Sequence, residues 1–153
     1  MRIGAFLVAL LLVAPTAVAA DADAPMRRSL VLVRADRRGV AELAVADVRR
    51  AYLGTPAQAE GVVVRPLLNV AEPLLYRVFL QKVVFMSART YERHVLSHVF
   101  RLGGSRPPRF SDLDSLLSAL RAREGAVTFM WEEEAERTGG LEIVTTLWEG
   151  VVE

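Results

Sequence analysis

Apolar residues recur along this chain in two spacings, one typical of strands and the other typical of helices. Short runs of aliphatic and β-branched residues predict buried strands. These runs lie at Leu30–Val33, Val62–Leu68, Ala126–Trp131 and Leu141–Leu147. Apolar stripes at three- and four-residue spacing predict amphipathic helices that begin near Val45, Pro73, Ser87 and Ser111. The order of strand, helix, strand, three helices and two strands predicts an α/β fold, with a small mixed sheet flanked by helices.

Particular residues mark the ends of these predicted helices. Gly54 stops the first helix, and Pro73 stands early in the second, where its missing N–H costs little. Ser87 can cap the third helix, whose apolar stripe we expect to be buried. That stripe consists of Tyr91, Val95, Val99 and Leu102. Gly125 ends the fourth helix just before a predicted strand.

The first residues have the three parts of a secretory signal peptide. One arginine supplies the positive charge, Ile3–Val13 is a short apolar segment, and small residues around Ala19 and Ala20 fit a cleavage site. We therefore predict a signal peptide over residues 1–19. Cleavage before Asp21 also fits the pattern. An uncleaved anchor is less favoured, because a bilayer span needs about 20 apolar residues.

We expect residues 20–28 to form a flexible leader and residues 29–150 to form one domain. The chain has 19 basic and 18 acidic residues, and removal of the signal peptide takes away one arginine and no acid. The remaining chain is balanced in charge, which argues against a nucleic-acid partner. The chain has no cysteine, so it has neither a disulfide nor a lipid-modified cysteine. We expect a periplasmic protein with no membrane span after signal cleavage.

Arginine supplies almost all of the basic charge, since Lys82 is the only lysine. A guanidinium group suits phosphate and carboxylate, but a GC-rich genome also favours arginine codons, so the count identifies no ligand. The sequence shows no nucleophile–base motif, no Gly-rich phosphate loop and no paired-carboxylate signature. We therefore expect a protein that is not an enzyme and that uses no cofactor.

Five segments, in order along the chain, are similar to landmarks of one known family. They are Asp47–Gly54, Val64–Pro66, Leu75–Phe79, Gly103–Pro108 and Glu124–Phe129. Over roughly residues 29–148 the chain resembles the short phosphate-binding-protein-like domains that are related to the substrate-binding proteins of phosphate ABC transporters. The resemblance implies export and a periplasmic-binding-protein fold of the second type. Full-length members hold the ligand between two lobes, and this chain has room for about one lobe.

The resemblance also implies a ligand and the places where it would be held. The ligand would be phosphate or another small anion, bound weakly by loops at strand ends and by helix N-termini. The residues of this chain at such places are Arg34, Asn69, Ser87, Thr90 and Arg106. A transporter or another envelope protein would be the partner. Ordinary helix capping by Ser87 is the alternative at the start of the third helix, and a solvated turn is the alternative for Arg106.

One departure from the family favours a different function. The turn Asn69–Pro73 lacks the hydroxyl groups that family members place around the anion, and it carries Glu72, which would repel one. In this alternative the domain keeps the fold, has lost the ligand and acts as an envelope interaction module.

A pair of histidines favours another alternative, a metal-binding accessory protein. His94 and His98 are four residues apart on one face of the third helix, a spacing at which two imidazoles can share a zinc ion. Zinc usually takes three or four protein ligands, and no third ligand stands nearby, so we expect no metal site there. We expect Glu132–Glu134 to be a solvated turn or a helix start, because runs of like charge usually face water.

Overall fold

The computed structural model describes residues 26–35, 40–103 and 105–152 of the 153-residue chain. The predicted signal peptide and its cleavage site lie outside these residues, as do residues 20–25 of the predicted leader. In the described part of the chain, no helix is both long enough and apolar enough to cross a membrane.

The described residues form eight strands and five helices. The strands are β1 (Met26–Arg34), β2 (Gln58–Ala59), β3 (Val62–Val63), β4 (Arg65–Pro66), β5 (Leu68–Asn69), β6 (Arg109–Phe110), β7 (Ala126–Trp131) and β8 (Glu142–Val152). The helices are α1 (Val45–Tyr52), α2 (Pro73–Phe79), α3 (Ala88–Leu102), α4 (Leu113–Ala122) and α5 (Glu132–Thr138). Helix α2 continues directly into a π-helical turn, Leu80–Val84.

Four of the strands form a central mixed sheet in the order β4, β7, β1 and β8. Strand β1 runs antiparallel to both of its neighbours, whereas β4 runs parallel to β7. The other strands form two small pairs, β2 with β3 and β5 with β6. The prediction of an α/β fold with a small mixed sheet and helices is confirmed.

Helices cover both faces of this sheet. Successive residues of a strand point to opposite faces. On one face, Leu30, Leu32 and Phe129 pack with side chains of α1, α2 and α3. On the other face, Val31 and Val33 pack with side chains of α4 and α5. Because both faces are covered, β7 is buried at every position and reads in the sequence as an apolar run interrupted only by Thr128.

Strand β1 begins earlier than the predicted domain boundary at residue 29. Met26–Arg28 pair with Gly150–Val152 of β8, so the prediction of a flexible leader is wrong for these residues. Strand β8 also continues past Leu147, where the predicted strand ends. Each of these two extensions supplies the hydrogen-bonding partner of the other, which neither segment reveals when it is considered separately.

The single strand predicted over Val62–Leu68 is wrong, because this run is divided among three short strands with different partners. Strand β3 pairs with β2, β4 pairs with β7, and β5 pairs with β6. Pro66 is tolerated because β4 is an edge strand. The flanking N–H groups of Arg65 and Leu67 donate to carbonyl groups at the start of β7, each at 2.8 Å. A run of apolar residues predicts burial, but it does not tell which neighbour accepts its hydrogen bonds.

The apolar stripe predicted for α3 is buried only in its first half. Tyr91 and Val95 are buried and Val99 is half-buried, but Leu102 is 74% exposed. The prediction is therefore wrong for the end of the stripe, because only the first turns of this helix rest on the core. The predicted cap is confirmed, since the Ser87 side chain accepts a backbone N–H of the first turn.

Candidate functional site

Asn69, the last residue of β5, is built into the fold and is only 1% exposed. Its Nδ2 donates to the Phe129 carbonyl oxygen at 3.1 Å, and its Oδ1 accepts the Ala71 N–H at 3.1 Å. The amide therefore ties β5 to the sheet and shapes the turn before α2. These bonds and its burial leave it no surface for an anion.

Ser87 and Thr90 bond to each other at the start of α3. The Ser87 Oγ accepts the Thr90 N–H at 3.2 Å and donates to the Thr90 Oγ1 at 2.9 Å. The first N–H groups of a helix have no partner within the helix, and a serine cap satisfies one of them. Capping accounts for the positions of both side chains.

Arg34, the last residue of β1, forms an ion pair with Glu142 of β8. The Glu142 Oε2 accepts from Nε at 3.1 Å and from Nη2 at 2.6 Å. The arginine side chain is 13% exposed. Because these two residues also face each other in the strand register, the ion pair holds together the ends of two neighbouring strands.

Four side chains at the start of α2 form what we call the charge cluster. They are Arg28, Glu72, Trp131 and Glu133. The Glu72 carboxylate accepts from Trp131 Nε1 at 3.0 Å and lies 3.5 Å from Arg28 Nη1. Arg28 Nε donates to Glu133 at 2.6 Å, and its guanidinium carbon lies 4.0 Å from the centre of the Trp131 ring. The start of α2, where the resemblance implies a bound anion, thus holds a carboxylate of the chain itself.

Glu134 lies beside the charge cluster, in the first turn of α5. Burial raises the pKa of its carboxyl group, and the negative charge of Glu72 raises it further. The ionised form of Glu134 is therefore less stable in the folded protein than in water, because the carboxylate loses hydration next to a second carboxylate.

Arg106 lies in the connector between α3 and β6, and it is bonded to Glu92 of α3. Its Nη2 donates to Glu92 Oε2 at 2.5 Å, while Arg109 contacts the other oxygen of the same carboxylate. Two arginines thus share one negative charge. The structure does not bring the five predicted residues together, because Arg106 is the only one of them that lines the groove described next.

A groove of about 290 Å³ runs beside Arg106, and we call it the basic groove. The end of α1 forms one side, the segment that contains β4 forms another, and the connector between α3 and β6 forms a third. Three arginines line it, namely Arg65, Arg106 and Arg123, together with the hydroxyl residues Thr55 and Ser105. None of the described residues that line it carries a carboxylate.

A wider cavity of about 510 Å³ adjoins the basic groove. Arg65 and Arg123 line both cavities and therefore stand at their junction, whereas Glu124 lines only the wider one. Both arginines are exposed, and within the described part of the chain neither forms an ion pair. Their donors can therefore meet a ligand without first releasing a carboxylate.

Gly125 permits the close approach that brings Arg123 beside Arg65. Its φ angle is +75°, which L side chains rarely adopt, and a Cβ at this position would collide with the Val63 carbonyl oxygen. The Arg65 N–H donates to the Gly125 carbonyl at 2.8 Å. The segment that follows α4 is thereby held against β4.

The connector that carries Arg106 is also held in place. Pro107 is buried, and the Leu68 N–H donates to the Pro108 carbonyl oxygen at 2.8 Å. Two consecutive prolines restrict the backbone further, because each ring fixes φ. The wall of the basic groove is therefore formed before any ligand arrives.

The sequence pattern did not indicate the basic groove, because its arginines come from three separate segments. Arg106 was predicted as a ligand residue, but Arg65 and Arg123 were not. The nearest local signal was Gly125, which predicts a helix end, and no pattern in one sequence tells that this glycine touches β3.

His94 and His98 lie on one face of α3 as predicted, with ring centres 6.2 Å apart and ring planes 25° from parallel. They line a cavity of about 280 Å³ together with Ser97, Arg101 and Leu102. Across the described residues, no group of three or more His, Cys, Asp or Glu side chains could hold a metal ion. Glu132–Glu134, predicted as a solvated turn or a helix start, form the first turn of α5.

These observations define a small α/β protein with a satisfied charge cluster and a basic groove. No family model matches the chain, and neither a curated protein nor a solved structure matches it. The relation to phosphate-transporter binding proteins stays an expectation drawn from the sequence.

Proposed function

We propose that this chain is an exported, binding-protein-like lobe that binds a small anion weakly and works with a transporter or another envelope partner. In this proposal the anion occupies the basic groove, which includes Arg106 but none of the other four predicted ligand residues. The observation that carries the proposal is the lining of the groove, where Arg65 and Arg123 meet with no ion pair among the described residues, beside Arg106, which is paired with Glu92.

The groove offers the donors that an anion needs. Guanidinium groups present planar pairs of N–H donors to phosphate and carboxylate oxygens, and Thr55 and Ser105 add hydroxyl groups. Because the three arginines are exposed, water and salt weaken each contact. We therefore expect a dissociation constant on the order of 1 mM, which should increase as the salt concentration rises.

The experiment that tests this function is a titration of the purified protein with phosphate, sulfate and acetate, followed by calorimetry and by amide chemical shifts. We expect the amides of Arg65, Gly125 and Ser105 to shift. The double variant Arg65→Gln/Arg123→Gln should lose about tenfold or more in affinity, since it removes two charged donors.

The matched control is the double variant Arg27→Gln/Arg89→Gln, which removes two exposed arginines outside the groove. It changes net charge by the same amount and should retain the affinity of the unaltered protein. Absence of binding by the folded protein, or an equal loss in both double variants, would contradict the proposal.

Exposed apolar side chains on α3 favour a second candidate, the envelope interaction module. Phe100 is 86% exposed and Leu102 is 74% exposed, next to Leu96 at 41%. A photo-crosslinking residue at Phe100 should then join a specific envelope protein in living cells, while one at the exposed Ser118 of α4 should not. The same products from both positions would count against this candidate.

A further inference from the structure

The basic groove is larger than a bare inorganic anion requires. Its volume of about 290 Å³ corresponds to about ten water molecules at roughly 30 Å³ each. A phosphate or sulfate ion would fill only a small part of this space. The remaining volume would stay filled with water or would accommodate a further part of the same ligand.

Much of the lining away from the arginines is apolar and rigid. Pro56, Pro107 and Pro108 line the basic groove and do not line the wider cavity, whereas Arg65 and Arg123 line both. Arg65 and Arg123 therefore stand at the junction of the two cavities, and the prolines line the part that belongs to the groove alone, together with Arg106, Thr55 and Ser105. A proline ring presents CH groups and loses little conformational freedom when a ligand covers it.

We propose that the groove takes an organic anion: a carboxylate or phosphomonoester head between Arg65 and Arg123, joined to a compact apolar body that covers the exposed Pro56 and Pro108. This inference rests on the proposed anion-binding function and narrows it to a class of ligand. The head supplies the ionic contacts, and the body adds buried apolar area to a preformed wall.

The test compares ligands that share a head and differ in the body. Benzoate is compared with acetate, and phenyl phosphate with inorganic phosphate, by calorimetry at fixed ionic strength. We expect each aromatic ligand to bind about tenfold more tightly than its bare counterpart. Benzyl alcohol, which has the body without the charge, should bind at least about tenfold more weakly than benzoate.

Variants of the protein separate the two parts of the site. Pro56→Ser alters an exposed wall residue, so it should weaken benzoate more than acetate and reduce the preference for benzoate from about tenfold to about threefold. Pro73→Ser, outside the groove, is the control and should change neither the affinity for benzoate nor the affinity for acetate. Arg65→Gln/Arg123→Gln should weaken benzoate and acetate alike.

Equal affinity for aromatic and bare anions would overturn the organic-anion inference and leave the anion-binding function intact. Binding of benzyl alcohol as tightly as benzoate would also overturn the organic-anion inference, because the charged head would then contribute nothing to the affinity. If no anion binds at all, the proposed function fails as well. The comparison between the pair of carboxylates and the pair of phosphates tells which head the arginines prefer.

Discussion

Arginine has different roles in the charge cluster and in the basic groove. In the charge cluster, Arg28 stacks on Trp131 and meets Glu72 and Glu133, so its charge is satisfied within the chain. In the basic groove, Arg65 and Arg123 stand together with no ion pair among the described residues. The position of an arginine in the fold, and not its presence in the sequence, decides whether it stabilises the chain or can bind a ligand.

Burial explains why the two regions behave differently. The Arg28 side chain is only 18% exposed, and a partly buried cation without a partner is costly, so its carboxylates are part of the structure. In the basic groove, Arg65 and Arg123 are exposed to solvent and keep their charge with no ion pair among the described residues. An anion can therefore accept hydrogen bonds from these guanidinium groups at a small desolvation cost.

The largest effect is expected from Gly125→Ala, which disturbs the contact that holds the segment of Arg123 against β4. The added methyl group collides with the Val63 carbonyl oxygen, and the alanine must adopt a φ angle of +75°, which L residues rarely adopt. We therefore expect the free energy of unfolding to fall by about 3 kcal/mol or more. Chemical denaturation measures this change, and anion binding should weaken in the variant.

Gly139→Ala is the matched control for that variant. Gly139 also has a positive φ, but nothing lies within 4 Å of the Cβ that it would gain. Gly139→Ala should therefore lower the free energy of unfolding only through the unfavourable backbone conformation, by about 1 kcal/mol. Equal decreases in the free energy of unfolding of the two variants would show that the close approach of Gly125 to β3 contributes nothing to the effect of Gly125→Ala.

An intermediate effect is expected from Glu72→Ala in the charge cluster. The change leaves Trp131 Nε1 without its acceptor and removes one partner of Arg28, so the free energy of unfolding should fall by about 1–2 kcal/mol. The affinity of the basic groove for acetate should not change. Glu136→Ala, at an exposed position of α5, is the control and should have almost no effect on stability. Weaker acetate binding by the Glu72→Ala variant would contradict the prediction, because it would mean that the charge cluster and the basic groove are coupled.

The smallest effect, and the opposite sign, is expected from Glu134→Gln. Burial and the charge of Glu72 raise the pKa of Glu134, so between its ordinary and its raised pKa the folded state binds more protons than the unfolded state. Stability therefore falls as pH rises through this window, and the penalty persists at neutral pH. Removing the charge should stabilise the protein at pH ~7 by less than about 1 kcal/mol.

The pH dependence of this gain supplies its control. At pH ~3, well below the ordinary pKa of a glutamate, Glu134 is protonated in both states, so the difference between the variant and the unaltered protein should disappear in denaturation experiments there. In a Glu72→Gln background the gain should shrink, because one cause of the raised pKa is gone. A gain that is independent of pH would contradict the electrostatic explanation.

Most of the fold could be predicted because its main elements have local signals. The run Ala126–Trp131 is apolar except for Thr128 and becomes the fully buried β7, and the spacing of Val48, Ala51 and Tyr52 predicts the buried face of α1. The division of Val62–Leu68 could not be predicted. Each piece satisfies its backbone hydrogen bonds with a different partner, and these partners are distant in the sequence.

The candidate site was predicted less well, for a related reason. A polar residue near a strand end fits both a ligand and the fold, and Asn69, Ser87 and Arg34 have partners within the fold. Arg65 and Arg123 have no distinguishing neighbours in the sequence. Their importance arises only when Gly125 brings their segments into contact.

The sequence by itself determined the class of fold, the burial of the central strands and the capping of α3, because apolar spacing and helix caps act over a few residues. The tertiary structure alone decided which arginines form ion pairs and which, like Arg65 and Arg123, stand in an open groove without one among the described residues. Ion pairing depends on the distance between side chains from remote segments. The charge cluster and the basic groove differ in these distances and in burial, and not in the kind of residue that the chain supplies.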